Sequence, residues 1–317
     1  MASRILTVAG HAVEIAEAGR GPPLVYLHGL ADVHGAAPGF LPFHAELARS
    51  FRVVAPAHPC CAGSAEDDDI ETIDDLAFRY VETLDAMGLA KVALVGACVG
   101  GWIAAELAVR HPDRIASLVL IGASGLQLPD APIGDVFWEA QPRNGGDYSG
   151  LRRLFFADAA APTATMLFPD GRDDVERELA RYKTMRFASR IGFNPPYFFN
   201  RLLRQRLHRF AGPALLLWGE HDRMVPRAHG EAYAAGLAQA KLRIITGAGH
   251  SPQVESPYET AAAIQAFLRP TLPAGKAPAR PKPPKTAAKA KAPRTARPSR
   301  APARPRKAAR KGKATRR

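Results

Sequence analysis

The chain has 317 residues, 47% of them hydrophobic, enough for one large domain with a substantial core. Its formal net charge of +13 is unevenly placed: 17 Lys and Arg and no acidic residue fall between Thr271 and Arg317, so residues 1–270 carry 26 basic and 30 acidic groups. The body is mildly acidic, and any electrostatic argument about nucleic acid belongs to the tail alone. Three cysteines, Cys60, Cys61 and Cys98, form no disulfide framework. No signal peptide is expected from the first residues, which lack a basic segment followed by a long apolar run. No apolar stretch reaches the roughly 18 residues of a membrane span, and a reducing cytoplasm is the expected location.

In chain order, the runs Ile5 to Ala9 and Ala12 to Glu17 flank Gly10 and His11 and predict a β-hairpin. Short continuous apolar runs follow at Leu24–Leu27, Val53–Ala55, Val92–Val95, Leu118–Ile121, Ala214–Trp218 and Leu242–Ile245. Such runs fit strands covered on both faces, as in a parallel sheet between helices. Helical periodicity fills the intervals: Leu41 to Ala48, and residues 73 to 88 with Thr72 as cap. Near the end, Ser256, Pro257 and Glu259 have the spacing of a capping box before a helix closing at Leu268. The alternation predicts an α/β fold with a mostly parallel, doubly wound sheet.

Between about Leu126 and Phe210 the rhythm breaks. This stretch is rich in aromatic residues, has one good helical pattern from Asp173 to Ser189, and contains no strand-like run. It reads as a helical lid at 126–210, inserted between core segments 1–125 and 211–270. Residues 271–317 are Ala, Pro, Lys and Arg with almost no large apolar side chain, so they read as a disordered tail. The tail's cations suit a non-specific, salt-dependent contact with nucleic acid or another polyanion. Without interleaved aromatic residues, base stacking is not expected.

The strand at Val92–Val95 runs into Gly96, Ala97, Cys98, Val99, Gly100 and Gly101, then into a helical segment from Trp102. This is a nucleophile flanked by glycines on a strand-to-helix turn. Four further signals accompany it. Leu27, His28, Gly29 and Leu30 follow the first parallel strand, where an oxyanion-binding amide belongs. Asp222 lies just past the strand ending at Trp218, and His250 sits in a glycine-bearing loop after the last strand. The order nucleophile, acid, histidine is that of one common triad scaffold. On these motifs, residues 1–270 resemble the α/β-hydrolase superfamily, in particular its lid-bearing branch of esterases, lactonases and carbon–carbon bond hydrolases.

The resemblance implies Cys98 as nucleophile, His250 as general base and Asp222 as the acid that orients it. It implies an oxyanion hole from the backbone N–H groups of Leu30 and Val99, with His28, Gly29, Gly96 and Gly100 as supporting motif residues. Glu255 reads as part of the turn into the last helix. Three departures stand out. Cys replaces the usual Ser, Ala97 replaces a frequent His, and the loop Ala55–Ser64 has Ala57, Cys60 and Ala62 where an Asp and two glycines are usual after that strand. Cysteine at this position is similar to dienelactone hydrolases and polyhydroxyalkanoate synthases. Dehalogenase and epoxide hydrolase chemistry needs a carboxylate there and is disfavoured. His58, Cys60 and Cys61 supply no evident fourth ligand for a metal, and neither metal nor cofactor is expected.

The expected activity is hydrolysis of an ester, thioester or lactone through a thioacyl-enzyme. The substrate is a small acyl compound, apolar or aromatic if the rings of the insertion face it rather than pack. The alternatives are acyl transfer on the same triad, or an inactive hydrolase-fold module, its Cys98 a small buried hydrophobe, tethered by the tail to a polyanion.

Overall fold

The computed structural model describes residues 2–37, 39–141, 146–171, 174–193 and 197–269. The tail expected at 271–317 lies outside the described residues. Eight strands form one sheet: β1 (Ala2–Val8), β2 (His11–Ala18), β3 (Pro23–Leu27), β4 (Arg52–Pro56), β5 (Val92–Ala97), β6 (Ile115–Ile121), β7 (Pro213–Gly219) and β8 (Gln239–Ile245). The spatial order is β1-β2-β4-β3-β5-β6-β7-β8. The predicted hairpin β1/β2 pairs antiparallel from Ala2↔Glu17 to Val8↔His11 and joins β4 antiparallel. From β4 to β8 every neighbouring pair is parallel. This is the α/β-hydrolase fold.

The continuous apolar runs of β3 to β7 have the expected cause, whereas β8, read as another such run, alternates between exposed and half-buried residues up to Ile244. Along β5, Val92 and Leu94 point into one buried cluster, while Ala93, Val95 and Ala97 point into another on the opposite face. One face is covered by α1 (Pro42–Leu47) and α11 (Pro257–Leu268), through Phe43, Leu47, Ile264 and Leu268. The other is covered by α2 (Ile73–Ala86), α3 (Val99–Arg110) and α9 (Arg227–Gly236). With neither face open to water, no polar alternation is needed. Thr72 caps α2 by accepting from the Asp75 N–H at 3.2 Å. Ser256 makes no side-chain cap at α11, contrary to the capping box read from the sequence. Its intended partner, Glu259, accepts instead from Arg243 on β8 at 2.7 Å.

Between β6 and β7 lie α4 (Val136–Glu139), α5 (Ser149–Phe155), α6 (Pro162–Leu167), α7 (Val175–Gly192) and α8 (Leu203–Arg206). Phe155, Phe156, Phe168, Phe187 and Phe198 of this insertion are buried in the larger cluster, so their first role is to pack the helices onto the body. A short helix, α10 (Pro252–Glu255), links the loop after β8 to α11. No helix among the described residues is long and apolar enough to cross a membrane.

Strand order reverses around β3, which lies between β4 and β5. The carboxyl ends of strands at such a reversal leave a crevice where ligands bind in open α/β sheets. One wall of that end is the loop after β4. It keeps left-handed backbone at Cys60 (φ 68°) and Ala62 (φ 47°) without glycine at either position. The turns are closed by Cys61 N–H to His58 C=O at 3.0 Å and Ser64 N–H to Cys61 C=O at 2.9 Å. A left-handed L-residue costs roughly 1–2 kcal/mol, partly offset by the extra unfolded-state freedom of glycine. Ala62→Gly is therefore expected to stabilise the fold by about 0.5–1 kcal/mol, read as a shift in the urea midpoint at unchanged slope.

Candidate active site

Cys98 occupies the corner between β5 and α3. Its backbone is forced to φ 53° and ψ −120°, a region that non-glycine residues rarely adopt and that costs of order 1–3 kcal/mol. The surrounding structure holds it there. The Cys98 N–H donates to Ile121 C=O at 2.9 Å, and its carbonyl accepts from Gly101, Trp102 and Ser124 N–H groups at 3.0, 3.2 and 3.3 Å. Tightness explains the flanking glycines. A Cβ on Gly96 would meet the Gly100 carbonyl oxygen at 2.3 Å, and one on Gly100 would meet the Leu27 carbonyl oxygen at 2.2 Å. The sharp turn leaves Val99 as the first residue of α3, where a helix supplies no acceptor for its N–H.

The loop after β3 lies against this corner. A Cβ on Gly29 would sit 3.0 Å from Cys98 Cβ, a tight contact that glycine avoids. His28 is fully buried and braces the loop. Its Nδ1 donates to Gly29 C=O at 2.8 Å, and its Nε2 accepts the His58 N–H at 3.1 Å. Because the peptide is planar and trans, holding the Gly29 carbonyl fixes the Leu30 N–H in the opposite direction. His58 Nε2 donates to His28 C=O at 2.8 Å, and Tyr80 donates its hydroxyl proton to His58 Nδ1. Both ring nitrogens of His58 are thus engaged by protein groups. Burial pushes the imidazole of His58 down to about 3 and that of His28 well below its ordinary value, so both rings stay neutral and serve as hydrogen-bonding struts.

Asp222 and His250 meet at the same end of the sheet. His250 Nδ1 lies 3.0 and 2.9 Å from the two Asp222 carboxylate oxygens, both side chains being almost completely buried. Asp222 Oδ1 also accepts the Met224 and Val225 N–H groups at 2.9 and 2.8 Å, which fixes the carboxylate. His250 Nε2 is buried with no hydrogen-bond partner. Desolvation alone would lower the His250 pKa; the Asp222 charge, then Cys98, outweigh it and push it up to about 10. Cys98 is therefore electrically coupled to the ring.

Three contacts around His250 have no signal in the sequence. Gly122, left-handed at φ 52°, lies under the ring, and a Cβ there would meet it at 3.1 Å. Phe155 of α5 packs edge-on against the imidazole with centroids 5.3 Å apart. Glu255 does lie in the turn before α11, but its carboxylate accepts Gly249 N–H and Ala157 N–H, each at 2.7 Å. It ties the histidine loop to the insertion. Burial raises its pKa, opposed by those two hydrogen bonds and by His250.

A sequence profile of the α/β-hydrolase fold family matches residues 22–257, and the chain belongs to that family. It is 28% identical over 280 residues to a 2-hydroxymuconate semialdehyde hydrolase from Pseudomonas sp. (strain CF600), covering 84% of this chain and 93% of that protein. It is 29% identical over 260 residues to a pimeloyl-[acyl-carrier protein] methyl ester esterase from Xanthomonas campestris pv. campestris, covering 79% and 96%. Among solved structures it resembles a bacterial membrane phospholipase A, with a TM-score of 0.67 and 26% identity over 85% of this chain and 86% of that one. These relatives are hydrolases by name, as the fold and the order of site residues lead one to expect.

The histidine's raised pKa has a consequence for stability. A folded pKa near 10 against about 6.5 in the unfolded chain means the folded state holds the proton more tightly. The resulting stabilisation is fully present below about pH 6.5 and is lost as pH rises through about 10. His250→Gln should therefore cost the most stability near pH 6 and progressively less towards pH 10, measured by urea unfolding of both proteins across that range.

Proposed function

We propose that this chain hydrolyses an ester, thioester or lactone through a thioacyl-enzyme on Cys98. The observation that carries the reading is the buried, unpartnered Nε2 of His250, electrically coupled to Cys98 while Nδ1 is held by Asp222. A histidine so placed has one nitrogen committed to orientation and the other left for proton transfer. In the first half-reaction the Cys98 thiol proton passes to His250 Nε2, the sulfur attacks the acyl carbonyl carbon and a C–S bond forms. The tetrahedral oxyanion is received by the Leu30 and Val99 N–H groups, such donors being worth about 3 kcal/mol each. The bond to the leaving group then breaks, and its oxygen or sulfur takes the proton from His250 Nε2. In the second half, His250 removes a proton from water, hydroxide adds to the thioester carbon, and the C–S bond breaks to release the acid.

Supporting the acyl class is the esterase relationship; supporting an apolar acyl group is Phe155, which packs against the His250 ring. The insertion at 126–210 acts as a lid in this reading, supported by its contact with the histidine loop through Glu255 and Ala157. Residues 1–125 and 211–270 are the core that carries the triad. The 17 cations beyond residue 270 support a salt-sensitive contact of the tail with polyanions.

The test uses p-nitrophenyl acyl esters and acyl thioesters of graded chain length, with mass spectrometry of the Cys98 peptide. Expected are turnover by the wild type, a transient acyl adduct on Cys98, and loss of at least about 1,000-fold in Cys98→Ala and His250→Asn, the scale typical of triad members. Decay of the adduct only on addition of a second nucleophile would assign acyl transfer instead. Undiminished turnover in Cys98→Ala would contradict the reading.

A further inference from the structure

The loop bearing Leu30 contains a buried carboxylate with no cation among its hydrogen-bond partners. Asp32 is fully buried, and all three of its side-chain partners are neutral donors. Its Oδ1 accepts the Gly29 N–H at 2.6 Å. Its Oδ2 accepts the Tyr26 hydroxyl from β3 and the Gln253 side-chain amide at 3.0 Å. Gln253 lies three residues beyond His250, in α10, so one carboxylate spans the loop of Leu30 and the loop of His250. The His28–Gly29 peptide is thereby held at both edges, its N–H by Asp32 and its C=O by His58 Nε2. The next peptide is held by His28 through the Gly29 carbonyl. Two successive peptide planes fixed in this way leave the Leu30 N–H a single direction.

Retaining an unpaired carboxylate in the interior is costly, and an apolar residue would fill the space more cheaply. A packing role alone does not account for a carboxylate here; the aiming of a backbone donor does. We infer that Asp32 is a positioning residue: it orients the oxyanion-binding loop and, through Gln253, couples that loop to the one carrying His250. The inference rests on the reading of Cys98 as an acylated nucleophile.

The experiment compares two reactions at the same sulfur. Acylation by a p-nitrophenyl ester passes through an oxyanion. Alkylation by iodoacetamide forms the C–S bond with loss of iodide and builds no charge on oxygen. Both are followed on the Cys98 peptide by mass spectrometry in wild type, Asp32→Ala and Asp32→Asn. In Asp32→Ala, acylation should fall about 100-fold, as when an oxyanion donor is lost, with KM little changed. Alkylation should stay within about threefold. Asp32→Asn keeps an oxygen for the Gly29 N–H, and the free Oε1 of Gln253 can turn to accept from the new amide, so acylation should remain within about fivefold of wild type. Equal slowing of both reactions, or no slowing of acylation, in Asp32→Ala overturns the inference. So does a deep loss in Asp32→Asn, which stands as the deciding variant if the alanine protein does not fold. A wild type that alkylates but never acylates overturns the underlying reading rather than the role of Asp32.

Discussion

A buried imidazole between a carboxylate and a sulfur is the interaction on which this site depends. Water would normally stabilise a charged ring; here two backbone N–H groups on Asp222 and the Asp222 charge replace it. The neighbouring geometry serves that pair. Gly122 leaves room under the ring, Phe155 closes its edge, and Glu255 fixes the loop that carries it. In so dry a setting electrostatic coupling is stronger than at the surface, so small shifts of the loops around the ring change its proton affinity.

Sulfur at the elbow changes the demands on the rest of the site. In the proposed reaction a C–S bond, longer than a C–O bond, would stand the tetrahedral carbon further from α3, and the oxyanion would have to be met by amides placed accordingly. The backbone around Leu30 is correspondingly well braced. His28, His58 and Tyr80 form a neutral chain of hydrogen bonds behind it, and the loop after β4 keeps its left-handed turns with no glycine at Cys60 or Ala62. The strain at Cys98 is fixed by four backbone hydrogen bonds rather than by its side chain. A Ser-to-Cys exchange at this corner is therefore compatible with the backbone, and its consequences fall on chemistry.

Much of this was legible in the sequence for a physical reason. Strands covered on both faces become continuous apolar runs, and β3 to β7 appear as such. The corner at Gly96–Gly100 is visible because its glycines are sterically obligatory. Asp222 and His250 stand out because each follows a strand that ends at the same edge. What stayed hidden are contacts between residues far apart: Asp32 with Gln253, Glu255 with Ala157, and Gly122 with His250 have no spacing to betray them. The left-handed Cys60 and Ala62 were hidden because neither residue type advertises that conformation. At Ser256 the local pattern was sound, but Arg243 from the adjacent strand took Glu259 away from the cap.

The most direct test of the central claim is the ¹³Cε1 and ¹⁵N chemical shifts of His250 followed against pH in the wild type and in Cys98→Ala. The account predicts an imidazolium that persists well above pH 8 in the wild type, with titration moved to lower pH when the sulfur is removed. A ring that titrates near 6.5, indifferent to Cys98, would show that sulfur and imidazole are neighbours without being coupled.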